Sequence, residues 1–458
     1  MQPQIPRSPR VTPGRAIAWF VLAAAIATCQ PTSDQVGPQG GASRAEQPSV
    51  ILVSIDTLRA DRLGTYGHPR DTSPEIDAFA RRAVLFEQTM AHAPSTLLSH
   101  AALFTSRWPQ HHGASHIRNL PLSDRLTTLA EVFADAGYAT AAFHAGAQLA
   151  PEFGLEQGFE VYDTVDRHRF AANVTAAFDW LDARDTTRPF FLFLHTYEVH
   201  HPYTPDAENL ARFDEGYDGP LPDAISVDLL RRINAGVVPI DAADLAHIEA
   251  TYAAEIRSMD TAFGELLRGL EARDLLTDAV LALTSDHGEE MGEHGDVGWH
   301  SITLYQEMLH VPWLLKLPED RGAGRRVETV VASIDIAPTL LDVAGVEQPR
   351  GFNGRSVLPA LDGPIEKRSI VAFWDEIDGT LHEALLEGRS KLHDAELYDL
   401  IDDPGEQRDL AAIEPERRDA LRRRLEELTA ADRAPSPPPP VSLDPETEER
   451  LRSLGYVQ

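Results

Sequence analysis

Residues 49–56, SVILVSID, form a continuous run of aliphatic, mostly β-branched residues that closes on a carboxylate. A strand exposed on one face alternates apolar and polar side chains. A run that is almost wholly apolar suits a strand buried on both faces, as in a parallel sheet covered by helices. Four more runs read the same way: 139–143, 190–195 (FFLFLH), 279–285 (AVLALTS) and 311–315. Between them lie stretches of helical periodicity, among them 126–136 and 250–272. Such alternation predicts an α/β fold with a mainly parallel central sheet.

From about Gly345 the segments shorten, which predicts a smaller C-terminal α+β subdomain. Residues 407–430 read as a charged helix, and the proline run 435–440 as a semi-rigid spacer. The expected organisation is a signal segment (1–28), a flexible linker (29–48), a catalytic domain (49–345), a C-terminal subdomain (346–433), and a Pro-rich spacer with a terminal helix (434–458).

Arg7, Arg10 and Arg15 precede the apolar run 16–26 (AIAWFVLAAAI), which has the length of a signal-peptide core. It ends in IATC, placing Cys29 where a lipoprotein signal carries its lipid, although Thr28 is not the usual small residue there. Two readings stand: a membrane tether through lipidated Cys29, or a plain cleaved signal. Both predict export to the cell envelope or periplasm. Cys29 is the only cysteine, so no intrachain disulfide forms and the catalytic region has no thiol. Hydrophobic residues at 43% and charged residues at 25% exclude wholesale disorder. The net charge of −31 argues against a nucleic-acid partner. It leaves room for a small anionic substrate, because a bound metal reverses the field locally.

Ligand sites in open α/β sheets form at the carboxyl ends of strands. Asp56 ends the first run; Asp286 and His287 end AVLALTS and lead into GEEMGEHG; His200 follows FFLFLH. Two carboxylates and an imidazole can hold a divalent cation, although acidic residues after strands also serve simply as helix caps. His200, His294 and His300 gather near the same strand ends, which suggests anion binding and acid catalysis. Gly288, Gly292 and Gly295 would admit close backbone approach to a ligand. In 93–107 (APSTLLSHAALFTSR), Ser95, Thr96, Ser99 and His100 lead into a short helix expected over 100–105. A hydroxyl at a helix N-terminus sits in a positive field that favours a bound anion. The plainer reading makes Ser95 or Thr96 an N-cap.

Six stretches, ILVSIDTLRADRLGTYG, TSPEIDAFA, STLLSHAALFTSRWPQHHG, LTSDHGEEMGEHG, SIDIAPTLLDVAGV and ELYDLIDDPGEQRDLA, occur in an order that resembles the sulfatase family of the alkaline phosphatase superfamily. The closing ERLRSLGY is similar to the tail of many members. The resemblance implies an alkaline-phosphatase-like sandwich and an ester hydrolase using one divalent metal ion: Ca, Mn, Mg or Zn. It assigns Asp56, Asp286 and His287 to the metal, while Thr57 departs from the family's second aspartate. His200 matches a histidine that contacts the anion, and His300 stands where an anion-binding lysine is usual. His294, in the GEHG turn, joins the substrate-binding set.

The family's Cys/Ser-x-Pro-x-Arg motif aligns with Thr96, Leu98 and His100. Threonine cannot become formylglycine. The pattern instead is similar to members with an unmodified threonine nucleophile, which are phosphate-ester hydrolases and phospho-group transferases. Thr96 is thus expected to be nucleophile and metal ligand, with His100 or His294 protonating the leaving oxygen. The expected substrate is a phosphate or sulfate ester of a small molecule, glycan or lipid, phosphodiesters included. A sulfatase acting without formylglycine, a transferase on envelope components and a metal-free binding module remain alternatives.

Overall fold

The computed structural model describes residues 47–165, 169–214, 216–376, 378–430 and 438–456. The signal segment, Cys29, nearly all of the linker and the first part of the proline run lie outside the described residues.

The central sheet contains β1 (Val50–Ile55), β2 (Val84–Met90), β3 (Ala139–His144), β4 (Val161–Thr164), β5 (Phe190–Thr196), β6 (Val280–Ser285), β7 (His310–Lys316), β8 (Arg326–Val327) and β9 (Val331–Ala332). Their order is β8-β2-β7-β6-β1-β5-β3-β4, with β9 also on β2. β1 lies at the centre, parallel to both β5 and β6. Its side chains divide between two cores: Val50 and Leu52 on one face, Ile51, Val53 and Ile55 on the other. Phe191 and Phe193 of β5 divide likewise from Phe190, Leu192 and Leu194. Helix α1 (Thr96–Thr105) covers the first face through Leu97, Leu98, Ala101 and Phe104. Helix α2 (Ala242–Glu271) covers the second through Ile248, Tyr252, Ile256, Met259 and Phe263. The result is the expected α/β sandwich, in which each fully buried large side chain contributes about 1.5–3 kcal/mol.

One strand of the five runs differs in direction. β7 is antiparallel to both β6 and β2, because apolarity marks burial and carries no sense of direction. β2 escapes the apolar-run criterion: Glu87 and Gln88 interrupt it where the register shifts between Phe86 and Thr89. Helix boundaries follow the caps. A Thr128–Glu131 capping box opens Leu129–Asp135, and an Asp241–Asp244 box opens α2 earlier than its apolar pattern does. The charged helix is shorter than expected: α3 spans Pro415–Ala430, since proline suits the first turn and disfavours helix before it.

The second sheet is antiparallel: β10 (Ile370–Asp375), β11 (Leu381–Glu387), β12 (Ser390–His393) and β13 (Glu396–Asp399), in that order. Ile370, Ala372 and Trp374 pack with Met90, Met308 and Leu309, while Val371, Leu385 and Leu392 pack on Leu421 and Leu425 of α3. Helix α4 (Pro445–Ser453) returns to the α1 face, where Leu451 and Leu454 enter the core. No helix among the described residues is long and apolar enough to cross a membrane.

Candidate active site

Register builds the centre of the site. Ile55 pairs with Thr196 on one side and Ser285 on the other, so Asp56 and Asp286 emerge side by side at the carboxyl ends of β1 and β6. With His287 they offer three ligand atoms within 4.8 Å of one another, all buried. Asp286 Oδ1 accepts from the N–H of Thr57 (3.3 Å) and of His287 (2.9 Å). His287 Nδ1 lies 2.8 Å from the Gly288 carbonyl, which places its proton there and leaves Nε2 a free lone pair. Asp56 Oδ1, Asp286 Oδ2 and His287 Nε2 have no hydrogen-bond partner. Burial pushes the Asp56 carboxyl up to about 6, and burial with the neighbouring Asp56 charge raises that of Asp286. Two adjacent buried carboxylates and an imidazole, each with an atom unsatisfied, fit a divalent cation. Gly288 serves packing here, since a Cβ would lie 1.9 Å from the Glu307 carbonyl oxygen.

Opposite this group stands the first residue of α1. Ser95 occupies the N-cap position without a side-chain cap bond, and Gln148 Oε1 instead accepts the Leu97 N–H at 2.8 Å. Thr96 is therefore not the cap. Its Oγ1 donates to Asp56 Oδ2 at 3.0 Å and lies 3.0 Å from the Tyr456 hydroxyl. His200 and His300 are brought together with their Nε2 atoms 2.8 Å apart, and the His300 ring sits 4.7 Å from that of His287. Burial pushes both of these imidazoles well below the usual histidine range.

The other two predicted histidines are placed differently. His100 lies behind Thr96, with Nδ1 2.8 Å from the Thr96 carbonyl and Nε2 3.0 Å from Ser54 Oγ. Burial lowers it to about 4, so it is a neutral support with both nitrogens engaged. His294 pairs with Glu307, contacts the Glu406 carbonyl at 3.1 Å and stacks on Tyr305. Neither geometry suits a donor to the leaving oxygen.

Neighbours missed from sequence include His195, Tyr197, whose ring lies 4.8 Å from that of His195, and Tyr456. His195 Nε2 lies 3.3 Å from Asp56 Oδ2; its pairing with Ser54 in the parallel register could have revealed it. Tyr456 comes from the tail, 360 residues from Thr96, and only the LGY resemblance hinted at it.

A buried group of carboxylates, imidazoles and a hydroxyl at the sheet's carboxyl edge is the setting of a metal-assisted ester hydrolase, and the comparisons with known proteins give the same class. Residues 48–346 match the family model described as Sulfatase, and the chain belongs to the sulfatase family. The Delta 4,5-hexuronate-2-O-sulfatase of Bacteroides thetaiotaomicron is 25% identical over 424 residues, covering 81% of this chain and 86% of that protein. The ulvan-active sulfatase of Formosa agariphila is 24% identical over 390 residues, covering 78% and 72%. Among solved structures, the phosphonate monoester hydrolase of Agrobacterium radiobacter has a TM-score of 0.69 at 22% identity, covering 84% of this chain and 96% of that one. A structure holding its substrate D-glucosamine-2-N,6-O-disulfate gives 0.70 at 19% identity, covering 84% and 98%.

Proposed function

We propose that this chain is an exported, metal-dependent hydrolase that cleaves a phosphate ester through a covalent intermediate on Thr96. One observation carries the reading: the Thr96 hydroxyl stands 3.0 Å from Asp56 Oδ2, beside three buried ligand atoms that lack partners. Asp56, Asp286 and His287, with Thr96 as a further oxygen ligand, would hold one Ca, Mn, Mg or Zn ion. Such an ion supplies positive charge that acidifies the hydroxyl and offsets anionic charge. Thr96 Oγ attacks phosphorus while the bond to the ester oxygen breaks, and the threonine's proton ends on the departing alcohol. Water then cleaves the Thr96 ester, releasing phosphate and restoring the hydroxyl. With a proton on Nε2, His200 and His300 would donate to the non-bridging oxygens and position them.

A threonine ester must be opened by incoming water, the ordinary route of covalent phosphoenzymes, whereas sulfatase chemistry ordinarily starts from an aldehyde hydrate. Sulfate-ester cleavage is the second reading, favoured by the names of the Bacteroides and Formosa relatives. Export, with or without a lipid on Cys29, rests on residues 7–29 and is read out by palmitate labelling and fractionation. The functional test is a panel of p-nitrophenyl phosphate, bis(p-nitrophenyl) phosphate, a phosphonate monoester and p-nitrophenyl sulfate across the four metals. Thr96→Ala should abolish turnover with the fold intact; full activity in that variant sinks the covalent scheme. A preference for the sulfate ester selects the second reading, transfer to an added alcohol selects a transferase, and purified protein that binds none of the four ions selects a binding module.

A further inference from the structure

Helix α4 ends in a cap whose geometry decides where Tyr456 goes. The Gly455 N–H donates to the Arg452 carbonyl (3.2 Å) and the Tyr456 N–H to the Leu451 carbonyl (3.0 Å). This pair of bonds makes the helix-terminating motif that requires a left-handed residue just past the end, and Gly455 supplies it with φ +91. The tail is then tied down. Arg231 donates to the Gly455 carbonyl at 2.9 Å, and His201 Nε2 donates to the Leu454 carbonyl at 3.0 Å. A Cβ on Gly455 would come within 3.2 Å of both His201 Nε2 and the Trp299 ring. Leu451 and Leu454 are buried in the core on the α1 face. The backbone of Tyr456 therefore has little freedom to move, and its side chain is aimed into the site.

At the end of that side chain, the hydroxyl lies 3.0 Å from Thr96 Oγ1 and 3.2 Å from His200 Nε2. Thr96 spends its proton on Asp56 Oδ2, so its oxygen accepts from Tyr456. His200 Nδ1 donates to the His201 carbonyl, so its Nε2 carries a lone pair that lies between the phenol at 3.2 Å and His300 Nε2 at 2.8 Å. The single phenol proton lies within reach of both acceptors, and the shorter contact is the one to the nucleophile. Its ring also walls a cavity of ≈ 200 Å³ lined by His116, His201, Trp299, His300 and Trp374.

We propose that Tyr456 is a further catalytic residue of the hydrolysis. Its hydroxyl holds the Thr96 oxygen in line in the free enzyme, then turns to a non-bridging oxygen of the bound ester. The proposal rests on Thr96 being the nucleophile.

The test uses the full-length, metal-loaded protein, the p-nitrophenyl ester it turns over best, and orthovanadate as a binding probe. Tyr456→Phe should lower kcat about 10- to 100-fold with KM within about threefold, and should weaken vanadate binding about tenfold. Melting temperature and metal content should stay at the wild-type values. Gly455→Ala keeps the hydroxyl but displaces it, and should lower kcat in the same direction. A Tyr456→Phe enzyme with wild-type kcat and vanadate affinity overturns the proposal, as does a loss matched by lost metal or lowered melting temperature. Thr96→Ala, run alongside, separates the two claims. Turnover by Thr96→Ala defeats the nucleophile reading, whereas an inactive Thr96→Ala beside a fully active Tyr456→Phe defeats only the role of the tail. If no ester is turned over, equal vanadate affinity in wild type and Tyr456→Phe still overturns the proposal.

Discussion

Asp56 and Asp286 leave two parallel strands one residue past the Ile55–Ser285 pair, so strand register alone brings their carboxylates together. Each retains an unpartnered oxygen, Oδ1 of Asp56 and Oδ2 of Asp286. Asp286→Asn should therefore weaken divalent-metal binding by at least about 100-fold, measured by calorimetry on chelated protein with each ion added back. For the wild type, saturating the site to about 100 times Kd should add about 2.7 kcal/mol to unfolding stability. A variant that binds metal normally would remove Asp286 from the ligand set.

A covalent ester on Thr96 has a kinetic signature. Stopped-flow mixing with a p-nitrophenyl ester should release a burst of roughly one equivalent of nitrophenol per enzyme before the steady rate, provided opening of the ester is slow. Thr96→Ser should retain the burst and Thr96→Ala should lose it. Linear product release at every metal and pH would favour direct attack by water.

His100 lies beneath the nucleophile with both ring nitrogens engaged, which assigns it to support. His100→Ala leaves Ser54 Oγ without its imidazole partner and opens a hole under α1, a loss of about 2–4 kcal/mol in denaturant unfolding. His100→Gln should recover much of that stability and leave the shape of the pH–rate profile unchanged. If His100→Gln removes one limb of that profile, His100 is an acid or base after all.

The pairing of His294 with Glu307 predicts a pH-dependent stability. Burial opposes its charge, but the Glu307 carboxylate holds His294 up at about 9. The folded pKa lies above the unfolded value of about 6.5. The contribution is thus fully present below pH 6.5 and is lost as pH rises through 9. Unfolding free energy should fall by about 2 kcal/mol across that window after allowance for partial exposure. Glu307→Gln should flatten the slope, and an unchanged slope would remove the pair as its source.

Much of the site was legible because it lies on strand ends. The apolar runs locate β1, β5 and β6, and the polar residue that follows β1 or β6 must then face the sheet's carboxyl edge. Thr96 was legible through its motif. Other parts depend on information that a single segment does not carry. The opposite sense of β7 is one, and the exchange of cap duty from Ser95 to Gln148 is another. His294 follows the same strand ends as His200 and His300 in sequence, yet a local turn directs it to Glu307. Tyr456 becomes a neighbour of Thr96 only through the docking of α4 in three dimensions.

The central place of β1 has a consequence for biogenesis. It is the earliest described strand in the chain, wholly buried, and flanked by β5 and β6. On a growing polypeptide, VILVSI therefore waits with both hydrogen-bonding edges bare until the segments around Phe191 and Val280 have been synthesised. Such a segment is a ready template for pairing with the wrong chain. Holding factors that bind extended apolar peptide should decide the yield of this protein more than its final stability does.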